Sequence, residues 1–271
     1  MYCLFEDMER VSIDDGDCPC CGFNENDFIE SGNEQQRLIY LLRCFESIKS
    51  EFSSGIVLRA ISLLSHTDSL NGSEWCELAD ILKQKSSIED YEKLVAFCLN
   101  KAVVENDLTA TMKLGFFYKE ECKTRRAFNA FKMAAINFNH DKAWFELGNL
   151  YEEKSRYRKD DVAMLLLQDA LDCYFIAVNQ GYADAAWKIY SLFYDSILEN
   201  KILAKYWFDI AVEMGAVLAW VALADNYQAC SFADEANSEK AFSWYQKAAL
   251  KGDIESIKKS VIFMSGVLAV R

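Results

Sequence analysis

Apolar residues between positions 142 and 151 recur with the period of an α-helix. Trp144, Leu147 and Tyr151 are spaced i, i+3 and i+7, so they form one stripe along a helix face. Gly148 lies inside this stripe. Glycine in a helix costs about 0.5–1 kcal/mol relative to alanine, so its position indicates a second helix pressing close to the backbone. Such a helix cannot bury its stripe alone.

The same pattern occurs five times along the chain. Aligned on the Leu147-Gly148 pair, the equivalent pairs are separated by 36, 33, 42 and 34 residues. The other four are Leu78-Ala79, Leu114-Gly115, Ile189-Tyr190 and Leu223-Ala224. Repeats of this length are typical of helical solenoids.

A second series of positions gives the helix ends. An alanine precedes the start of the next unit by eight residues each time, at Ala102, Ala135, Ala177, Ala211 and Ala248. Four residues after each alanine stands Asn106, Asn139, Gly181, Gly215 or Gly252. Asn and Gly accept the left-handed backbone that ends many helices. The spacing therefore predicts five helix pairs that end in the same cap.

Two of the predicted second helices, LAKYWFDIAVEMGA and EKAFSWYQKAALKGD, resemble the Sel-one-like repeat family, which is related to the tetratricopeptide solenoids. The resemblance covers residues 74–271. It implies an all-α fold, a right-handed α-solenoid of about five helix-pair repeats, and a role in holding other proteins. Repeat four departs from the pattern, because Ile189-Tyr190 stands where the family has Leu-Gly.

The chain is predicted to have three parts: an acidic, Cys-containing segment over residues 1–32, a helical capping hairpin over 33–73, and the repeats over 74–271. Leu38, Leu41, Leu42 and Phe45 share one face of the predicted hairpin. We expect the hairpin to cap the first repeat, since the end of a solenoid must cover its apolar face.

The N-terminal cluster Cys18-Pro19-Cys20-Cys21-Gly22 resembles a zinc knuckle and the start of small CPCC-type cysteine-rich domains. Cys18 and Cys21 are the candidate zinc ligands, as two thiolates on one tight turn. A structural zinc needs four ligands, and the sequence has no second C-x-x-C. The alternative is a Cys-rich loop docked on the first helices.

The net charge of −13 argues against a nucleic-acid partner, because proteins that bind nucleic acids carry a basic face. Residues 1–34 contain ten acidic residues and one basic residue, Arg10. This segment is either solvated or meets a basic partner. Ten scattered cysteines, no signal peptide and no membrane-length apolar run predict a cytoplasmic protein with reduced thiols and no membrane contact.

In tetratricopeptide-like stacks the first helix of each pair lines the concave side. The resemblance implies that the residues two before and two after the repeat leucine face this groove, and we add the residues five after it. The candidate partner-binding residues at these positions are Met112, Phe116, Phe145, Asn149, Glu152, Trp187, Tyr194 and Asp225. Aromatic residues ringed by polar groups are typical of interface centres. The alternative for Phe116 and Phe145 is packing between repeats.

Repeat three contains a charged insert at residues 155–161, followed by a helix predicted over 161–179. Eight extra helical residues would project about 12 Å beyond the neighbouring helices, at about 1.5 Å per residue. Insertions of this kind lie on one face of a solenoid and often bind partners. The alternative is a tolerated surface insertion.

The sequence has only two histidines, His66 and His140, and it lacks a glycine-rich phosphate loop, a nucleophile elbow and a carboxylate–histidine metal pattern. We therefore expect that the protein is not an enzyme. The sharper hypothesis is a bacterial immunity protein that neutralises a basic toxin. The alternatives are a signalling or assembly adaptor and a zinc-dependent regulatory module. The apolar C-terminal helix predicts either a monomer or a homodimer formed through that helix.

Overall fold

The computed structural model describes residues 71–83, 91–104, 106–158, 161–195, 198–230 and 235–269. Within these ranges every regular element is an α-helix, and helices account for about 87% of the residues. The chain divides into two compact units, Met1–Asn139 and His140–Arg271. The predicted N-terminal segment and nearly all of the predicted capping hairpin lie outside the described residues.

The described part of the first unit consists of two helix pairs. Its helices are α1 (Gly72–Lys83), α2 (Tyr91–Val104), α3 (Leu108–Glu120) and α4 (Thr124–Phe138). Helix α1 packs on α2, α3 packs on α4, and α2 contacts α3. These pairs are the first two predicted repeats.

The second unit continues with three helix pairs and one further helix in its described part. Its helices are α5 (Asp141–Ser155), α6 (Asp161–Asn179), α7 (Ala183–Asp195), α8 (Lys201–Met214), α9 (Val217–Ala229), α10 (Glu235–Leu250) and α11 (Ile254–Ala269). The pairs are α5 with α6, α7 with α8 and α9 with α10, and α11 packs on α10. The predicted five helix pairs are thereby confirmed.

All five predicted cap residues adopt the left-handed backbone. Their φ angles are 57° for Asn106, 48° for Asn139, 93° for Gly181, 87° for Gly215 and 94° for Gly252. At the end of α6, the Tyr182 amide donates to the Ala177 carbonyl at 3.0 Å and the Gly181 amide donates to the Val178 carbonyl at 2.8 Å. This is the Schellman arrangement, which satisfies the last carbonyls of a helix. It explains why an alanine and a glycine recur at one fixed spacing.

The glycines of repeats two and three lie under aromatic rings of the paired helix. A Cβ atom added at Gly148 would come within 2.5 Å of the Tyr174 ring, and one added at Gly115 within 2.5 Å of the Phe131 ring. No side chain larger than hydrogen fits there without movement. The predicted close approach of the second helix is therefore confirmed at both positions.

Cys98 and Cys173, which share one position in the second helices, are fully buried. Burial raises the pKa of both thiols, as expected for cysteines that act as small core hydrophobes. The helix predicted after the insert of repeat three is also observed, as α6. It has 19 residues against 14 to 16 in the other second helices, so it is longer by less than the predicted eight residues.

We predict that Gly148→Ala lowers the free energy of unfolding by about 1–3 kcal/mol, because the added methyl group collides with the Tyr174 ring. Alanine alone would stabilise the helix by about 0.5–1 kcal/mol. Urea unfolding of the single variant and of Gly148→Ala in a Tyr174→Ala background separates the two effects. With the ring removed, Gly148→Ala should be neutral or stabilising. A stability gain in the wild-type background would contradict the close contact.

Candidate functional site

The eight predicted partner-binding residues are divided between the two units. Met112 and Phe116 belong to the first unit, and the other six belong to the second. Met112 is buried on α3, and Phe116 is half-buried with its ring 5.2 Å from that of Phe131. In the second unit the Phe145 ring lies 4.8 Å from that of Tyr182. These contacts favour helix packing as the role of Met112, Phe116 and Phe145.

Asn149 and Glu152 meet the hydroxyl of a buried tyrosine from the paired helix. Tyr174 Oη lies 2.9 Å from Asn149 Oδ1 and 2.9 Å from Glu152 Oε2. Lys188 Nζ of the next repeat donates to Glu152 Oε2 at 3.0 Å, and Arg156 Nη2 donates to Oε1 at 2.7 Å. The carboxylate of Glu152 is thereby held by three different helices or turns.

Two opposing effects set the pKa of Glu152. Burial raises the pKa. The hydrogen bond and the charge of Lys188 lower it, as do the hydrogen bonds from Tyr174 and Arg156. The lowering effects are larger, so the pKa of Glu152 lies below its usual value. The pKa of the Tyr174 hydroxyl is raised by burial and by the nearby Glu152 charge. At neutral pH the pair is therefore a carboxylate and a neutral phenol.

An open cleft of about 340 Å³ lies beside this cluster. Its walls are formed by Asn149, Glu152, Glu153, Arg156, Tyr157 and Lys188. Arg156 and Tyr157 come from the insert of repeat three, so the insert lines the cleft together with two of the predicted site residues. Both side chains are exposed there.

The same arrangement recurs in repeat five. Tyr245 Oη contacts Asp225 Oδ1 and lies 2.6 Å from Gln228 Oε1, while Lys259 Nζ of α11 donates to Asp225 Oδ1 at 2.7 Å. Tyr174 and Tyr245 each stand three residues before a cap alanine. Equivalent tyrosines therefore contact a carboxylate and an amide in both repeats, with the carboxylate five residues after the repeat leucine in repeat three and two after it in repeat five.

Lysines tie successive repeats in both units. Lys113 Nζ on α3 donates to Asp80 Oδ2 on α1 at 2.6 Å, and in the second unit Lys188 donates to Glu152 and Lys259 to Asp225. All three lysines directly precede the position of the repeat leucine. The predicted acidic residues thus serve as ties between first helices. Sequence reasoning missed the lysines and tyrosines, although their constant offsets from the leucine and the cap alanine were a usable signal.

Repeat four carries an aromatic patch, which we define as Trp187, Tyr190, Tyr194 and Phe208. The Tyr190 ring lies 4.8 Å from Trp187, 5.4 Å from Tyr194 and 5.3 Å from Phe208. Trp187 is half-buried against a cluster of buried alanines, whereas Tyr194 is 56% exposed. The patch therefore runs from the core of the helix pair out to solvent.

The patch lies where the repeat departs from its own pattern. Tyr190 occupies the position that Gly115 and Gly148 hold in repeats two and three. With a side chain at this position, the paired helix cannot place a ring directly on the backbone as Phe131 and Tyr174 do. The rings of Trp187, Tyr194 and Phe208 instead pack around the ring of Tyr190. Sequence reasoning found Trp187 and Tyr194 but missed the roles of Tyr190 and Phe208.

Among the described residues, no group of three or more His, Cys, Asp or Glu side chains is placed to hold a metal ion. Cys18 and Cys21, the predicted zinc ligands, lie outside these residues. His140 is the N-cap of α5, where its Nδ1 atom accepts from the Ala143 amide at 3.3 Å. No single described helix is long and apolar enough to cross a membrane; α8 and α9 meet that criterion only jointly, across a bend of 110°.

Comparison with known proteins identifies the fold. No protein-family model matches the sequence, and neither does any curated protein. The structure is similar over 82% of the chain to c5321, a protective antigen of uropathogenic Escherichia coli displaying an SLR fold, with a TM-score of 0.52 and 18% identity. The chain spans 48% of that protein, which is about half its length.

A Sel1 repeat protein from Oxalobacter formigenes is similar over 80% of the chain and 87% of its own length, with a TM-score of 0.51 and 19% identity. The chain therefore has the fold of Sel1-repeat solenoids, as the resemblance implied. The immunity protein Pa5087 from Pseudomonas aeruginosa matches 65% of the chain and 64% of its own length at 17% identity, with a TM-score of 0.41. A TM-score this low supports no functional argument.

We predict that Glu152→Gln lowers the free energy of unfolding by about 1–3 kcal/mol at neutral pH, because the hydrogen bonds of Lys188, Arg156 and Tyr174 lose a charged acceptor. Since folding lowers the pKa of Glu152, its contribution is complete above the unfolded pKa of about 4.3 and is lost as the pH falls through the lower folded pKa.

The measurement is urea unfolding of wild type and variant at a series of pH values. The difference between them should shrink as the pH falls below about 4. Glu153→Gln, at the exposed neighbouring residue, is the matched control and should change stability by no more than about 0.5 kcal/mol. A difference that stays constant over the whole pH range would contradict the role assigned to the Glu152 charge.

Proposed function

We propose that this chain is a non-catalytic, cytoplasmic protein-binding solenoid whose partner docks on the aromatic patch of repeat four. The observation that carries this proposal is the replacement of a helix-packing glycine by Tyr190, which spreads four aromatic rings from the core to the surface. Sequences generally break their own local rules at functional positions. A Sel1-repeat fold is a scaffold on which such a surface can be displayed.

The patch has the physical properties of an interface centre. Its rings support one another at 4.8 to 6.4 Å, so little conformational entropy is lost when a partner covers them. Lys188, next to Trp187 on α7, lines the polar cleft with Arg156. A partner that covers Tyr194 and reaches this cleft would meet an aromatic anchor beside a polar rim, which is how interfaces concentrate their energy.

The finer proposal is that the partner is a basic toxin, which the chain neutralises as an immunity protein. Its support is the net charge of −13, since an acidic binder attracts a basic effector and speeds encounter. Most of that charge comes from residues 1–34. Glu152 and Asp225 do not serve as free steering charges, because lysines already pair with both. An adaptor for a host protein is the competing function.

We predict that Tyr194→Ala weakens partner binding by about tenfold or more, since truncating an aromatic anchor costs about 1.4 kcal/mol or more. Affinity capture with mass spectrometry identifies the partner, and calorimetry then measures the affinity of each variant. Tyr206→Ala is the matched control, because Tyr206 is 58% exposed against 56% for Tyr194 but lies outside the patch. If both variants lose affinity equally, or if neither loses affinity, the binding surface lies elsewhere.

If the captured partner is a toxin, co-expression of wild type should protect cells from it, and the Tyr194→Ala variant should protect poorly. The control variant Tyr206→Ala should protect as well as wild type. A captured partner that does not harm cells when expressed alone would exclude the immunity function and leave the adaptor function in place.

A further inference from the structure

Helix α11 has the register of the first helix of a sixth repeat. Ser256 follows the cap of α10 at the offset where the other units start with alanine, at Ala110, Ala143, Ala185 and Ala219. Ser256 and Ser260 are buried, as the equivalent residues of α3, α5 and α7 are. The described part of the chain contains no second helix to pair with α11.

The face of α11 that would meet such a helix is apolar and open. One and five residues after the unit start, repeat three has Trp144 and Gly148, both buried, with the Tyr174 ring over Gly148. The equivalent residues of α11 are Ile257 and Val261, which are 44% and 60% exposed. Ile254, one turn earlier on the same face, is exposed as well.

The inner face of α11 is polar by comparison. Ser256 and Ser260 stand where α3, α5, α7 and α9 carry alanine and then leucine or isoleucine. Their hydroxyl groups are buried without a hydrogen-bond partner, which costs free energy. Helix α11 therefore packs its more polar face against α10 and exposes its more apolar face to solvent. Exposed aliphatic residues at helical spacing are the signature of a surface that another helix covers.

We propose that α11 of a second copy of this chain covers this face, so that the two helices pair antiparallel about a two-fold axis close to Ile257. The charges beside the face are self-complementary. Glu255 and Lys258 lie one turn apart, both exposed, with 3.6 Å between Lys258 Nζ and Glu255 Oε2. Because a two-fold axis reverses the direction of the second helix, it brings Glu255 of each copy beside Lys258 of the other.

The first test is the molar mass of the full chain in solution, measured by analytical ultracentrifugation over about a hundredfold range of concentration. Wild type should shift from monomer to dimer as concentration rises. Val261→Glu should weaken dimerisation by about tenfold or more, because it brings a carboxylate into an apolar contact. Ile202→Glu is the matched control, since Ile202 is an exposed isoleucine on α8, and it should dimerise like wild type.

The second test uses the two charges. Glu255→Lys and Lys258→Glu should each weaken dimerisation by about threefold to tenfold, since each places like charges together twice in the dimer. An equimolar mixture of the two variants should recover the wild-type affinity, because every cross-pair is then attractive. The double variant should recover it as well.

A wild type that stays monomeric at every concentration overturns the proposal. If Val261→Glu then also lowered the melting temperature, the cover would be a segment of the same chain. A dimer that both Val261→Glu and Ile202→Glu leave intact would form through another surface and would also overturn the proposal. Recovery by the double variant without recovery by the mixture would exclude the antiparallel pairing. Helical circular dichroism of each variant checks that it is folded.

Discussion

The approach of the two helices within each pair is the constraint on which the structure depends. At Gly115 and Gly148 an aromatic ring occupies the space that a Cβ atom would need. Contact this close holds the second helix on the first within a pair, and the left-handed caps at the ends of the second helices then turn the chain into the next pair. At Gly181, Gly215 and Gly252 the residue after the glycine donates to the carbonyl of the buried alanine. The packing glycine therefore fixes the contact within a pair, and the capping residue fixes the turn between successive pairs.

The tyrosine–carboxylate–lysine contacts solve a second problem, which is how one repeat joins the next without a long connecting loop. A tyrosine of the second helix is buried among apolar groups, so its hydroxyl needs an acceptor. The carboxylate of Glu152 or Asp225 supplies it, and a lysine of the following first helix balances the charge. Each contact therefore satisfies a buried donor and fixes the next helix at the same time.

Much of this fold could be predicted because its determinants are local and recur. The turns could be predicted from Asn106, Asn139 and the three cap glycines, because these residues accept a left-handed backbone. The position of Gly148 within an apolar stripe predicted a close contact with the paired helix. The side-chain pairings could not be predicted in the same way, because they join residues of different helices that are 20 to 36 positions apart, such as Lys188 and Glu152. Glu152 and Asp225 were therefore predicted as free groove residues, although each is a tie between repeats. The sequence indicated that Glu152 and Asp225 are important residues of the first helices. It did not indicate their lysine partners, because these depend on how the helices of neighbouring repeats face each other.

The two exposed apolar surfaces of the second unit, the aromatic patch and the outer face of α11, both involve the position directly after the repeat leucine. In repeat four a large aromatic side chain stands where the other repeats have glycine or alanine, and the rings packed around it extend to solvent at Tyr194. In α11 the same position holds Val261, and no described second helix contacts it. The equivalent residues of α1, α3, α5 and α9 are buried, so the exposure of Val261 indicates a surface that something else covers. Lys188, which follows Trp187 of the aromatic patch, lines a polar cleft with Arg156, whereas α11 carries a self-complementary charge pair. This difference in neighbouring charges is why we propose a foreign protein for the aromatic patch and a second copy for α11.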